Sequence, residues 1–359
     1  MKPTQKLHQL GQSLWLDNIT RDLLDSGTLA RYVKELSVTG LTSNPTIFDE
    51  AIGSGKAYDA EIQKKARNGL SGEALFLELA LEDLRRAADI FRPIWDSTAG
   101  VDGWVSMEVS PLLASDTHAT IASAEQIHKL ANRPNLYVKI PGTPEGVPAI
   151  EAAIFAGVPV NVTLLFSREH YLAVAEAYMR GLERRLAAGL DLRVSSVASV
   201  FVSRWDRAVS GKVPAELHNR LGIAIALRTY RAHCELLETK RWRDLAAAGA
   251  QKQRMLWAST GVKDPAAPAD MYVSAFAAPD TIDTMPEKTL LAFAEKGTVN
   301  ASMPKDGGDA EVVLKRFADA GIDVDALAAQ LQTEGAQSFV KSWTDLMQII
   351  AKKGAALSA

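Results

Sequence analysis

Eight short runs rich in β-branched and aromatic residues alternate with helix-like segments along this chain of 359 residues. The clearest helical segment covers residues 73–95, where apolar residues recur every three or four positions. Strands that alternate with helices predict a parallel sheet, because each helix carries the chain back to the edge where the next strand starts. The predicted strands are residues 14–19, 38–45, 104–111, 136–141, 158–166, 194–204, 254–260 and 271–276.

Polar residues near the ends of these runs distinguish two kinds of parallel sheet. An open sheet binds its ligand at one switch point, whereas a barrel collects functional side chains from the carboxyl ends of many strands. Nearly every run here has an isolated polar residue at or just after its end, namely Asp17, Thr42, Asn44, Glu108, Lys139, Asn161, Thr163, Ser199, Ser259 and Ser274. The sequence therefore predicts an α/β fold, a (β/α)8 TIM barrel with additional helices.

Lys139 is the most distinctive of these residues. It lies in the run NLYVKIPGTPEG, where alternation places Tyr137 and Lys139 on one face of a strand and aliphatic residues on the other. Desolvation of an ammonium favours the neutral amine, which attacks carbonyl carbons to form a Schiff base. The alternative is a strand-end lysine that reaches solvent or pairs with a carboxylate. The run alone does not decide between them.

Length and composition predict one domain over residues 1–359, with barrel strands between 14 and 276 and a C-terminal helical segment at 310–353. The net charge of −3 does not favour nucleic acid or an anionic membrane as a partner. The first twelve residues lack the apolar core of a signal peptide, and no apolar run approaches the ~18 residues of a membrane span. We therefore expect a cytoplasmic protein.

Neither a metal site nor a cofactor site is predicted. The six histidines show no HxH or HExxH spacing, and no group of carboxylates resembles a calcium loop. The segment GSGK, residues 53–56, evokes a phosphate-binding loop, but Glu50 and Ala57 stand where that loop needs glycine and Ser or Thr. Cys234 is the only cysteine, which excludes an intramolecular disulfide.

Seven segments, taken in chain order, resemble the successive motifs of the transaldolase family, in particular its longer bacterial branch. The family is built on a class I aldolase-type barrel, and it transfers a dihydroxyacetone unit from sedoheptulose 7-phosphate to glyceraldehyde 3-phosphate. The products are erythrose 4-phosphate and fructose 6-phosphate, in the non-oxidative pentose phosphate pathway. The segments fall within residues 14–286: LWLDNI, GLTSNPTIF, VSMEVSP, NLYVKIPGTPEG, NVTLLFS, SVFVSRWD and LWASTGVKDP.

This resemblance implies roles for four catalytic residues. Lys139 would form the Schiff base, and Asp17 would remove the proton of the C4 hydroxyl as the carbon–carbon bond breaks. Glu108 and Thr163 would act through a water molecule when the carbinolamine loses water. The alternatives are a helix N-cap for Asp17, although Thr20 would serve that purpose equally well, and a simple ion pair with Lys139 for Glu108.

The resemblance also implies a set of sugar-binding residues. Asn44 and Asn161 would orient hydroxyl groups, and Ser199 would lie beneath the substrate. Each asparagine could equally be a turn or strand-end residue. Arg204 and Ser259 would bind the phosphate group, because a guanidinium fork suits phosphate geometry.

Two positions bear on how closely the chain follows the family. Shorter transaldolases have a second arginine two residues past the serine, but Gly261 stands there, so Lys263 is the candidate replacement, with a solvated lysine as the alternative. Phe201 stands where the related fructose 6-phosphate aldolases tend to have a tyrosine that protonates the enamine. Phenylalanine cannot donate that proton, which favours transfer. The alternatives to transaldolase activity are that aldolase activity and a catalytically silent barrel that binds sugar phosphates. The sequence does not distinguish a monomer from a homodimer.

Overall fold

Eight parallel strands form the centre of the protein, as described by a computed structural model for residues 1–299 and 302–358. The strand order is β2-β1-β8-β7-β6-β5-β4-β3, and the amide of Leu41 donates to the carbonyl of Trp104 at 3.0 Å across the remaining gap. The predicted (β/α)8 TIM barrel is confirmed. Its strands are β1 Ser13–Asp17, β2 Val38–Thr42, β3 Val105–Glu108, β4 Leu136–Pro141, β5 Val160–Leu165, β6 Ser196–Phe201, β7 Arg254–Ala258 and β8 Ile282–Met285.

Helices cover the outside of the barrel, and short 3-10 turns occur at Pro111–Leu113 and Ala215–Leu217. Residues 73–95 lie in α6, as predicted, and the C-terminal segment consists of α15 and α16. The helices are α1 Pro3–Gln9, α2 Arg21–Asp25, α3 Thr28–Leu36, α4 Pro45–Ser54, α5 Asp59–Arg67, α6 Gly72–Ser97, α7 Thr117–Ala131, α8 Gly146–Ala156, α9 Arg168–Ala187, α10 Ser203–Val209, α11 Leu221–Leu237, α12 Lys240–Ala247, α13 Met271–Ala275, α14 Glu287–Lys296, α15 Ala310–Asp319 and α16 Val324–Ser358.

The prediction of the eighth strand at residues 271–276 is wrong. Residues 271–275 form α13 and Phe276 is its C-cap, so the rings of Tyr272 and Phe276, four residues apart, stack with centroids 5.9 Å apart. Ser274 therefore lies on a helix, where it donates a hydrogen bond to Asp270. The eighth strand is β8, which extends the barrel strands to residue 285. Its middle carries the fully buried Asp283, so the four-residue run did not show an apolar pattern.

An aromatic layer fills the barrel below the carboxyl ends of the strands. Tyr137 lies on the same face of β4 as Lys139 and stacks on Trp104 at 4.0 Å, with Trp15 next to it at 6.2 Å. Gly40 of β2 leaves room for this layer, since a Cβ atom there would lie 2.7 Å from the Trp15 indole nitrogen. The layer closes the barrel from one side, so the space around Lys139 opens only toward the carboxyl ends of the strands.

Candidate active site

A cavity of 440 Å³ lies at the carboxyl ends of the strands. Such a position is typical of the active sites of barrel enzymes. The predicted residues that line it are Asp17, Asn44, Lys139, Thr163, Ser199, Phe201, Arg204, Ser259 and Lys263. The other two predicted residues, Glu108 and Asn161, lie behind this lining and are buried.

Lys139 is the centre of the site. Its ammonium lies 3.0 Å from the Glu108 carboxylate and donates a hydrogen bond of 3.1 Å to the carbonyl of Ser43. Glu108 and Lys139 are register partners on β3 and β4, so the strand pairing itself sets their distance. Lys139 is only 5% exposed. Of the two sequence-based alternatives, the structure excludes a solvent-exposed lysine, and Lys139 is both paired and buried at the cavity.

Asp17 ends β1 and lines the same cavity as Lys139. Its carboxylate accepts a hydrogen bond of 2.7 Å from Thr42, whose hydroxyl also lies 2.6 Å from that of Thr284. Burial raises the pKa of Asp17, although the nearby Lys139 ammonium acts in the opposite direction. The cap of α2 is Thr20, which accepts from the Leu23 amide. The N-cap interpretation of Asp17 is therefore wrong.

Glu108 and Thr163 flank Lys139 on the neighbouring strands. Burial raises the pKa of Glu108, and the Lys139 ammonium only partly opposes this effect. Within the described residues, the buried hydroxyl of Thr163 has no hydrogen-bond partner. The next residue, Leu164, has a left-handed φ of 59°, where β5 departs from regular pairing with β6. Such strain in a non-glycine residue is common at functional sites.

The two asparagines occupy different layers of the site. Asn44 is the N-cap of α4, where its side-chain oxygen accepts from the Ile47 amide at 3.1 Å, and it also lines the cavity. Asn161 is fully buried on β5 and bonds to two serines, donating to Ser106 of β3 at 3.0 Å and accepting from Ser199 of the neighbouring β6 at 2.7 Å. Asn161 thus holds Ser199 in place at the cavity wall.

Arg204 follows β6 at the start of α10 and lies against two aromatic rings. Its guanidinium carbon is 5.4 Å from the Phe201 ring centroid and 5.9 Å from that of Phe339. Burial lowers the pKa of Arg204, and the nearby charge of Arg207 acts in the same direction. A partly buried guanidinium between apolar rings is weakly hydrated and well suited to a phosphate group.

Ser259 and Lys263 come from the segment after β7. Ser259 has a left-handed φ of 57°, and its hydroxyl lies 2.9 Å from that of Ser203. Lys263 is an exposed residue at the rim of the cavity. It also lines a neighbouring cavity of 570 Å³, which adjoins the first one. The ammonium of Lys263 is therefore placed to reach either space.

Thr46, Thr284 and Phe339 are among the cavity-lining residues that sequence reasoning missed. Thr284 was missed because the eighth strand was misplaced, and Thr46 lies on α4 after the predicted strand. Phe339 lies on the C-terminal helix, and its ring centroid is 5.6 Å from the Lys139 ammonium. The helical periodicity of α16 could identify its buried face, but only the tertiary packing shows what that face covers.

Within residues 1–299 and 302–358, no helix is both long enough and apolar enough to span a membrane. In the same residues, no three His, Cys, Asp or Glu side chains are grouped so that they could hold a metal ion.

The barrel and the buried lysine with its carboxylates define an aldolase-type barrel enzyme. The family model of transaldolase/fructose-6-phosphate aldolase matches residues 14–350. Similar proteins include the transaldolase of Thermobifida fusca (44% identical, 99% of each chain covered) and that of Parafrankia sp. (44%, 98% of each). Transaldolase 1 of Streptomyces avermitilis is 43% identical over 97% of this chain and 94% of its own. The chain belongs to this family, which confirms the resemblance and the predicted transferase.

Proposed function

We propose that this protein works as a transaldolase and that Lys139 is the amine that carries its substrate. The protein transfers a dihydroxyacetone unit from sedoheptulose 7-phosphate to glyceraldehyde 3-phosphate, which yields erythrose 4-phosphate and fructose 6-phosphate. The observation that carries the proposal for Lys139 is its burial at the cavity, 3.0 Å from Glu108. A buried amine beside a proton acceptor suits Schiff-base formation.

The first step joins the ketose carbonyl carbon to Lys139. The ammonium must lose a proton to become nucleophilic, and Glu108 is the carboxylate placed to receive it. Because burial raises the pKa of Glu108, this carboxyl can hold the proton and return it to the carbinolamine hydroxyl, which leaves as water. The buried hydroxyl of Thr163, two residues beyond the register partner of Lys139, is placed to orient that water.

The second step breaks the bond between C3 and C4. Asp17 takes the proton of the C4 hydroxyl, the aldehyde leaves, and the electron pair moves onto the iminium to give an enamine. The raised pKa of Asp17 brings this base closer to the pH at which the enzyme works. Its hydrogen bond from Thr42 fixes the carboxylate in the cavity, so its geometry does not depend on solvent.

The third step attaches the three-carbon unit to the acceptor aldehyde, and hydrolysis of the resulting iminium releases fructose 6-phosphate and returns the amine of Lys139. Phe201 lines the cavity and has no proton to donate, so the enamine is retained until the aldehyde arrives. The alternative aldolase reaction requires protonation of this enamine. Asn44 and Ser199 face the cavity where sugar hydroxyls would lie, while Asn161 acts through Ser199 in this conformation. The phosphate group is assigned to Arg204, Ser259 and Lys263.

Borohydride trapping with fructose 6-phosphate, followed by peptide mass mapping, tests the proposal. We expect one adduct, on Lys139, which disappears in Lys139→Arg because a guanidinium cannot form the imine. An adduct on another lysine would reject the assignment. A coupled assay of transfer against release of dihydroxyacetone distinguishes a transaldolase from an aldolase and from a silent barrel.

Other expectations from the sequence stay predictions. The cytoplasmic location, the single domain over residues 1–359 and the choice between monomer and homodimer each need their own measurement. Fractionation, limited proteolysis and analytical ultracentrifugation address them in turn. None of these outcomes alters the chemistry assigned to Lys139.

A further inference from the structure

One face of the C-terminal helix α16 lies across the opening of the barrel. Gln332, Gly335, Phe339 and Ser342 are spaced three, four and three residues apart, which places them on the same side of the helix. The Gln332 side chain donates hydrogen bonds of 3.0 Å to the carbonyls of Gly142 and Leu164. The first carbonyl follows β4 and the second lies in the irregular part of β5, so Gln332 attaches the helix to the strand that carries Lys139 and to the next strand.

Two further contacts fix this face of the helix. The hydroxyl of Ser342 lies 2.8 Å from that of Thr46 on α4. Gly335 passes so close to the site that a Cβ atom there would lie 3.0 Å from Arg204 Nη1 and 2.8 Å from the Leu164 side chain. The helix therefore packs directly against the residue assigned to the phosphate group.

Phe339 projects from this face into the cavity. Its ring centroid is 5.6 Å from the Lys139 ammonium and 5.9 Å from the Arg204 guanidinium carbon. The side chain is buried although it belongs to a helix outside the barrel. An aromatic ring in this position presents an apolar surface to one side of the reacting nitrogen.

We propose that Phe339 is a specificity-determining residue that keeps water away from the enamine, and that Gln332 is the positioning residue that holds it there. The inference rests on the proposed function and deepens it. It assigns the choice between aldehyde and water as acceptor to the C-terminal helix as well as to Phe201. Phe201 has no proton to donate to the enamine, and Phe339 restricts the access of solvent to the enamine.

The competing reaction is hydrolysis of the enamine. The nucleophilic carbon takes a proton from water, and the resulting iminium adds hydroxide at its carbon. The carbon–nitrogen bond then breaks, Lys139 recovers its amine and free dihydroxyacetone leaves. No oxidant or reductant is needed. Removal of the ring at position 339 should open this route without removing the groups that form the Schiff base.

The experiment compares wild type, Phe339→Leu and Phe339→Ala with fructose 6-phosphate as donor. The readout is the ratio of free dihydroxyacetone to transferred three-carbon units at fixed acceptor concentration. We expect the ratio to rise on the order of tenfold in Phe339→Ala, because the closed site loses its cover. Leucine keeps much of the apolar volume and should give a smaller rise. An unchanged ratio in both variants would overturn the inference.

Gln332→Ala and Gln330→Ala form a matched pair on the same helix. Gln330 is exposed and its amide donates a hydrogen bond to Glu334 of the same helix, so its loss should leave the ratio at the wild-type value. Gln332→Ala should raise the ratio, since the helix loses its attachment to β4 and β5. If the Phe339→Ala chain fails to fold in circular dichroism, Phe339→Leu and Gln332→Ala carry the test, and equal ratios in both glutamine variants count against it.

Trapping separates this inference from the proposed function. Adducts on Lys139 should persist in all four variants, because imine formation does not use Phe339 or Gln332. Loss of trapping in the wild type rejects the proposed function itself. Intact trapping with a ratio that does not respond to Phe339 rejects only the role of the helix.

Discussion

The Lys139 ammonium and the Glu108 carboxylate lie 3.0 Å apart on paired positions of neighbouring strands, and each side chain is only about 5% exposed. Loss of one partner from a buried ion pair usually costs about 3 to 5 kcal/mol, because the other charge stays buried without compensation. Here the ammonium would keep its hydrogen bond to the Ser43 carbonyl. A neutral, isosteric replacement of Glu108 therefore probes chemistry with the least disturbance of the fold.

Glu108→Gln should slow formation of the Schiff base. The amide cannot accept the proton of Lys139 or return it to the carbinolamine, so the rate should fall on the order of 100-fold. Rapid mixing with fructose 6-phosphate and timed borohydride quenching measures this step alone. Wild-type trapping kinetics in Glu108→Gln would remove the residue from the water-mediated step and leave it as a structural partner of Lys139.

Asp17→Ala should slow turnover without slowing formation of the Schiff base. Imine formation does not use the base at C4, so the trapped adduct should form normally, while turnover should fall on the order of 100-fold to 10,000-fold. The measurements are adduct yield and steady-state transfer in the same preparation. Thr20→Ala serves as the control, since Thr20 caps the adjacent helix α2 and does not line the cavity. Full transfer activity in Asp17→Ala would show that another group takes the proton.

Most of the barrel and its polar residues could be predicted because the information is local. Strand alternation places Tyr137 and Lys139 on one face, and parallel strands bring their carboxyl ends together wherever the helices pack. The eighth strand could not be predicted in this way. Its buried Asp283 breaks the apolar pattern, whereas Tyr272 and Phe276 have strand-like composition but stack as helical neighbours.

The contribution of α16 lies beyond any local pattern. Gln332 binds carbonyls that are 168 and 190 positions earlier in the chain, and periodicity gives only the buried face of a helix. The position of Asn161 is a further example. An asparagine side chain is suited to hydrogen-bond a sugar hydroxyl. Only the three-dimensional arrangement shows that Ser106 and Ser199 already occupy both ends of this amide.

Asp283 should make the stability of the fold depend on pH. Burial raises its pKa well above the ordinary value of 3.8, and a 3.0 Å hydrogen bond from Thr260 acts in the opposite direction. A carboxyl with a higher pKa in the folded state binds its proton more tightly there than in the unfolded state. Its contribution to the free energy of unfolding is therefore complete below pH 3.8. That contribution is lost as the pH rises toward the folded-state pKa.

Thermal unfolding of Asp283→Asn between about pH 4 and about pH 9 tests this relation. The wild-type Tm should fall with rising pH more steeply than that of the variant, because the amide does not ionise. Asp22→Asn, an exposed position on α2, controls for the simple loss of a carboxylate. Parallel curves for wild type and Asp283→Asn would mean that Asp283 keeps an ordinary pKa in the folded protein.

The phosphate site combines two cations in different surroundings. Arg204 is partly buried between the rings of Phe201 and Phe339, whereas Lys263 is exposed at the rim and faces a second cavity as well. A held guanidinium can make two hydrogen bonds at once, and a lysine on a mobile stem contributes a point charge that solvent screens. Arg204 should therefore contribute more to recognition of phosphorylated substrates.

Arg204→Ala should lower kcat/KM for fructose 6-phosphate. The expected loss of transition-state stabilisation is on the order of 1.5 to 3 kcal/mol, the usual range for a hydrogen bond to a charged group. Unphosphorylated fructose should lose much less, because it lacks the group that Arg204 binds. Lys263→Ala should show the same selectivity with a smaller loss, and Arg207→Ala, which faces only the second cavity, is the matched control. Equal losses on both sugars would make Arg204 a structural residue, and no loss in Lys263→Ala would assign that side chain to solvent.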